Sequence, residues 1–316
     1  MEYGLCMQAS VFMVAAMTWN RDDARQQYNI SGWSAGYFDV GEDGQLLALP
    51  GGSPGSPAVD LHALAHALRD AGLSWPVLVR FTGILHQQVD RLCGAFEAAI
   101  GARQYDAGYT AVYPIKVNQQ QHVVEAIVRH GGERVGLEAG SKPELLAIIG
   151  IAPDNGVIIC NGYKDAEYIR LALQAQRLGH RVTLVIEKLS ELELIIRVAE
   201  ELHLRPRLGL RVRLSAATAG NWQNTGGDRS KFGFTAAGVF ALLERVRAAG
   251  LQDCLHLLHC HPGSQVSSLA DLRRALTEVA RTWVALHSDG VPIDSVDVGG
   301  GVGVDYEGTA SNSSCS

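Results

Sequence analysis

The stretch RVTLVIEKLSELELIIRVAEELHLRPRLGLRVRL, residues 181–214, decides the fold. It opens on a short β-branched run, passes into a segment with apolar residues at helical spacing, and closes on a second run rich in Leu and Val. Strand, helix and strand within so few residues can only close as a βαβ unit, because two parallel strands need a long crossover between them.

Working outward, the same alternation recurs in both directions. Strand-like runs stand at YTAVYPIKVN (109–118), VGLEAG (135–140), GVIICNG (156–162), LHLLHCH (255–261) and SVDVGGGVGV (295–304), with amphipathic segments such as QQHVVEAIVRH and LADLRRALTEVARTWVALHSDG between them. The first five runs repeat about every 25 residues, the period of a (β/α)8 barrel. A polar, Gly-rich excursion, SAATAGNWQNTGGDRSKFGF, follows the fifth run as an active-site loop would. Seven runs are visible and none follows the seventh before Ser316. Two expectations stay open at this point: a barrel truncated after its seventh strand, as a fragment of a longer protein, or an open doubly wound sheet.

Ahead of this body lies a smaller α+β segment. Residues 31–49 hold two strand-like runs around a GEDG turn, GGSPGSP at 51–57 is a break, and 59–73 and 85–100 carry helical periodicity. We therefore divide the chain into a leader at 1–17, spurious or disordered, an N-terminal α+β segment at 18–107, and an incomplete barrel at 108–316. Leu5 to Met17 is apolar, but no Lys or Arg precedes Arg21 and the run is too short to span a membrane, so Met17 is read as the natural start.

With 35 glycines in 316 residues and only 19% charged residues, disorder is excluded and a large buried core is within reach. A net charge of −6 lacks the basic excess of a nucleic-acid binder. Six cysteines, at 6, 93, 160, 254, 260 and 315, show neither CxxC pairing nor the density of a secreted scaffold, which places the protein in a reducing cytoplasm.

In such a barrel the chemistry gathers at the C-terminal ends of the strands. Strand alternation puts Val112, Pro114, Lys116 and Asn118 on one face, so Lys116 stands at the mouth, suited to Schiff-base chemistry with a carbonyl. Most lysines at strand ends merely reach solvent, and alone this one decides nothing. His259 and His261 share a face, followed by Gly263 and Ser264; they read either as an HxH metal chelate, with Glu138 or Asp297 recruited, or as one imidazole packed on a planar ring beside an anion. Gly299, Gly300 and Gly301 follow the seventh run, where backbone amides can approach a phosphate, although such glycines are more often structural. Arg207, Arg211 and Arg213 line one face of the fifth run. Lysine, imidazole, Gly-Ser and a glycine run are together the parts that hold an aldehyde cofactor with a phosphate handle.

The motifs YPIKVNQ, GLEAGSKPEL, CNGYKDAEYIRLAL, LVIEKLSELELII, SKFGF, HCHPGSQ and DVGGGVGVDYEGT, taken in order from about Trp19 onward, resemble the biosynthetic arginine decarboxylases. These are pyridoxal 5'-phosphate enzymes with an alanine-racemase-like barrel, grouped with ornithine and diaminopimelate decarboxylases. The resemblance implies Lys116 as the lysine that carries the cofactor and His261 as the imidazole stacked on its ring. It sets Ser264 and Gly299 to Gly301 around the phosphate, Glu138 near the lysine, and Arg211 or Arg213 near the cofactor. It further implies decarboxylation of L-arginine to agmatine in polyamine biosynthesis, magnesium as a second cofactor, and a homo-oligomer, with neither nucleic acid nor membrane as partner.

Departures from the family are Pro262, which lacks an amide donor beside the phosphate loop, and Ala310 where a basic residue is expected. Family members are also about twice as long, and the missing half would hold an eighth strand whose carboxylate pairs with the ring nitrogen. The chain alone is therefore expected to turn over weakly or not at all. The competing expectations are a metal-dependent barrel hydrolase built on His259 and His261, and a non-catalytic pyridoxal-phosphate-binding fragment.

Overall fold

The computed structural model describes residues 19–52, 56–214 and 232–309. The leader, most of the Gly-rich excursion, Ala310 and Cys315 lie outside the described residues.

The small N-terminal unit comes first. Helices α1 (Arg21–Gln27) and α2 (Ile30–Trp33) precede an antiparallel sheet of β1 (Phe38–Val40), β2 (Leu46–Ala48) and β3 (Val59–Asp60). Val40 pairs with Leu46 across the GEDG turn, which is the expected hairpin. Arg21 and Arg25 both bind Asp39, and the hydrogen bond from Arg25 does most to hold that carboxyl down at about 2. Asp60 then caps α3 (Leu61–Asp70) by accepting from the His62 and Ala63 amides. Helix α4 (Thr82–Arg103) runs on to the main body, where Cys93 joins Val123, Ile127 and Val135 in a satellite core.

The main body is a seven-stranded, all-parallel sheet whose spatial order is simply chain order. Its strands are β4 (Ala111–Pro114), β5 (Val135–Ala139), β6 (Val157–Cys160), β7 (Arg181–Ile186), β8 (Leu208–Arg211), β9 (Leu255–His259) and β10 (Ser295–Asp297). Helices α5 (Gln121–Gly131), α6 (Lys142–Ile149), α7 (Ala166–Arg177), α8 (Leu189–Leu202), α9 (Ala236–Ala248) and α10 (Leu269–Ser288) fill the crossovers. All seven expected strands are present, so the open doubly wound alternative falls: its sheet would reverse direction at a switch point, and this one does not. Among the described residues β4 and β10 are the outer strands, with no eighth between them.

Alternation along each strand separates two cores. Leu137, Ala139, Ile158, Cys160, Leu184, Ile186, Leu210 and Leu258 face the helices and join the apolar stripes of α7 and α8 in the principal core. Val112, Ile159, Val185 and Leu257, one residue out of step, form a small cluster on the opposite, concave face. That second cluster is short of apolar residues for a physical reason: toward the C-terminal strand ends its places are taken by Glu138, Arg211, His259 and Asp297, which burial would penalise unless each found a partner.

Candidate functional site

Lys116 does not continue β4. The ladder stops at Pro114, opposite Glu138, because proline has no amide to extend it, and Ile115–Val117 turn into a short 3₁₀ helix. The alternation that placed Lys116 and Asn118 on a strand face is thus corrected. Lys116 nonetheless reaches the mouth, with Nζ 3.6 Å from Glu138 Oε1 and its side chain 60% exposed. Ile115 packs into the helix-side core and holds the turn in place.

Across the mouth, β9 ends in His259, which is buried, while His261 two residues on is open to the mouth. His259 Nδ1 lies 2.9 Å from Asp297 Oδ2, an approach too oblique for an aligned hydrogen bond. Burial by itself would raise the Asp297 carboxyl; the His259 ring, the Gly299 amide and Arg211 outweigh it and leave the group below its usual range. The His261 ring is pushed down to about 4, first by desolvation and then by the charges of Arg211, His259 and Lys116. It is a neutral imidazole at physiological pH. Cys260, between the two, faces the helices, and burial raises its thiol to about 12, so it is no nucleophile.

The loops after β9 and β10 lock together. Val266 donates to the Gly301 carbonyl at 2.8 Å and accepts from the Gly303 amide at 2.9 Å. Gly299 and Gly301 have φ of +65° and +95°, and a Cβ would sit 2.5 Å from the Cys260 carbonyl oxygen and 1.8 Å from that of Gly263. Glycine is obligatory at both for loop packing. Gly299 also spends its amide on Asp297 Oδ1 at 2.8 Å, so it is not a free donor as expected from sequence. Gly300 differs: a Cβ there would meet nothing within 4 Å, and Gly300 and Ser264 both face open space.

The two arginines also separate. Arg211 turns inward, 16% exposed, with Nη1 3.1 Å from Glu187 Oε1, whereas Arg213 donates through Nε to the Gly233 carbonyl. Arg207 lies at the other end of β8, paired with Asp294.

Sequence reasoning missed a buried trio of charged side chains beside Arg211, Lys164, Glu187 and Glu191. Glu187 follows β7, and its Oε1 also accepts from the Gly162 amide at 2.9 Å. Glu191, on the buried stripe of α8, accepts from the Lys164 and Glu187 amides. Lys164, with no side-chain exposure, donates to the carbonyls of Gly162 and Val185, both at 2.6 Å. Burial lowers its pKa, with Glu191 and Glu187 opposing. The signal was available: Val185 and Glu187 share a face, and a carboxylate closing an apolar strand has to find a partner inside.

Among the described residues no group of three or more His, Cys, Asp or Glu side chains is arranged to hold a metal ion, and His259 is turned to Asp297 instead. The chemistry of the set suits pyridoxal phosphate better. An accessible amine, a neutral flat imidazole, an inward arginine and an open Gly300–Ser264 rim face one another at the strand ends.

These features define the class: a barrel-type parallel sheet with its functional groups at the C-terminal strand ends. The chain belongs to the pyridoxal-dependent decarboxylase family through its pyridoxal binding domain, which matches residues 87–316. It is 54% identical over 298 residues to a biosynthetic arginine decarboxylase of Alkalilimnicola ehrlichii, covering 94% of this chain and 48% of that protein. The corresponding Pseudomonas putida enzyme is 50% identical, with 94% and 47% covered. Among solved structures, the biosynthetic arginine decarboxylase of Campylobacter jejuni superposes with a TM-score of 0.79 at 32% identity, over 90% of this chain and 45% of that one. A diaminopimelate decarboxylase from M. jannaschii shares the fold, with a TM-score of 0.67 at 20% identity over 87% and 58% of the two chains. The chain thus spans about half the length of the curated relatives it matches.

Proposed function

We propose that this chain is the cofactor-binding part of an enzyme that converts L-arginine to agmatine and CO₂, and that residues 108–316 are its cofactor-binding unit. The observation that carries the reading is Lys116 facing Glu138 at a barrel mouth shared with His261. Identity of about half to arginine decarboxylases, reaching through the N-terminal segment, favours arginine over ornithine or diaminopimelate.

Pyridoxal phosphate, when bound, supplies an aldehyde that takes up the substrate amine and a ring that accepts the electron pair left by departing CO₂. Lys116 would offer the amine that holds the cofactor. Glu138 holds the Lys116 ammonium toward the mouth and gives its proton an acceptor. His261, uncharged, would lie against the cofactor ring without adding a cation. Ser264 and Gly300 would hold the phosphate, with Gly299 and Gly301 fixing the loop that carries Gly300. Arg211 places a fixed positive charge inside the mouth.

The resemblance assigns the ring-nitrogen carboxylate to an eighth strand, and none stands among the described residues. We therefore expect the 316 residues alone to decarboxylate arginine weakly or not at all; release of labelled CO₂ at an ordinary enzymatic rate would sink that expectation. Magnesium is assigned no residues, since no ligand cluster is present among those described. A homo-oligomer in the cytoplasm, feeding polyamine synthesis, completes the reading; no helix among the described residues is long and apolar enough to cross a membrane.

The test is covalent trapping. Incubation with pyridoxal phosphate, borohydride reduction and peptide mapping should label Lys116, and Lys116→Ala should lower incorporation at least about 100-fold, as expected for loss of the only group that forms the bond. Label on another lysine overturns the assignment, and bound zinc with no label favours the metal hydrolase.

A further inference from the structure

We infer that Glu187 is a positioning residue that aims Arg211 into the barrel mouth; the inference rests on reading Arg211 as a cofactor contact. Along β7, Val182, Leu184 and Ile186 face the helices and Val185 the concave face, so Glu187 is the next inward position. Its side chain has no exposure, and one oxygen takes both Arg211 Nη1 and the Gly162 amide. The Glu187 backbone is itself fixed, since its amide is held by Glu191 Oε2 at 2.9 Å. Carboxylate and guanidinium are therefore set by the sheet, not by solvent.

Arg211 has donors to spare. Among the described residues Nη1 to Glu187 is its one side-chain hydrogen bond, while the Phe232 ring centroid lies 5.1 Å from its guanidinium carbon. Its charge is felt at His261 and Asp297, which puts it within reach of whatever occupies the mouth. A buried ion pair is a poor way to add stability, because desolvation offsets most of its attraction, whereas it is an effective way to fix a direction. Glu187 Oε2, buried and without a partner among the described residues, shows that the carboxylate is held for its place and not for full satisfaction. Neutralising Glu187 would leave Arg211 charged and free to turn.

A double-mutant cycle on the 316-residue chain tests this, read as pyridoxal phosphate affinity from an absorbance titration, with circular dichroism confirming fold. Glu187→Gln should weaken binding about tenfold in the parent, within the usual range of coupling between contacting residues, and less than about twofold when Arg211 is already Gln. Glu187→Asp, which keeps the charge on a shorter arm, should cost about threefold and lose that effect in the same background. Equal losses in both backgrounds for either variant mean that the carboxylate is only structural and overturn the inference. No uptake and no Lys116 label in the parent overturn the cofactor reading and this inference with it; label with additive losses removes Glu187 alone.

Discussion

Two lysines at strand ends on the same side of the sheet, one after β4 and one after β6, meet opposite fates. Lys164 is sealed, with Nζ spent on two carbonyls at 2.6 Å and Glu191 at 3.9 Å, whereas Lys116 is mostly exposed and, among the described residues, pairs with Glu138 at 3.6 Å. Burial lowers the Lys164 pKa, a property often sought in a Schiff-base lysine, yet its nitrogen has no room to be attacked. Accessibility, not perturbation, separates the amine proposed to hold the cofactor from the structural one. The same contrast runs along the mouth: β6 to β8 lead into paired, buried charges, while Lys116 after β4, His261 after β9 and Gly300 after β10 are exposed.

That division can be broken by measurement. Lys164→Met should cost about 3–5 kcal/mol, because it strips a buried carboxylate of its cation, and Lys116→Met less than about 1 kcal/mol, as for an exposed pair. Urea midpoints decide it, and equal costs would erase the distinction. Next in size, Gly301→Ala should lose about 2 kcal/mol from left-handed backbone and the Gly263 clash, while Gly300→Ala should leave the melting temperature alone and weaken pyridoxal phosphate binding several-fold. The smallest effect is at His261. Its ring stays neutral from pH 6 to 8, so cofactor affinity shows no step from it there. As pH falls below the ordinary 6.5 the unfolded chain takes up this proton first, so acid favours unfolding until the folded ring titrates at about 4. Proton NMR of the ring checks this, and a midpoint near 6.5 would show a ring that the mouth does not desolvate.

Much of this was legible in the sequence. Seven strands showed because buried parallel strands read as short apolar runs at a steady period. Lys116, His261 and the glycine run showed because they break that pattern at its edges. The turn at Lys116 did not, since alternation was carried past a proline that could not extend the ladder. Glu187 was missed for a different reason. Its partners Gly162 and Arg211 are 25 and 24 residues away, which looks remote along the chain but is one βα repeat, so each is a lateral neighbour on the sheet. Reading charged residues one repeat apart as contacts would have found the pair.

Because spatial order in the large sheet equals chain order, each strand docks on the one made just before it. Such a sheet can grow strand by strand during synthesis, each step closing one helical crossover onto a strand already made. Gly162, Lys164, Glu187, Glu191 and Arg211 are all made before the ribosome reaches Gly299. The sealed side of the mouth can thus be complete while the glycine run is still unwritten, and a nascent chain arrested between the two would carry the buried ion pairs without the proposed phosphate seat.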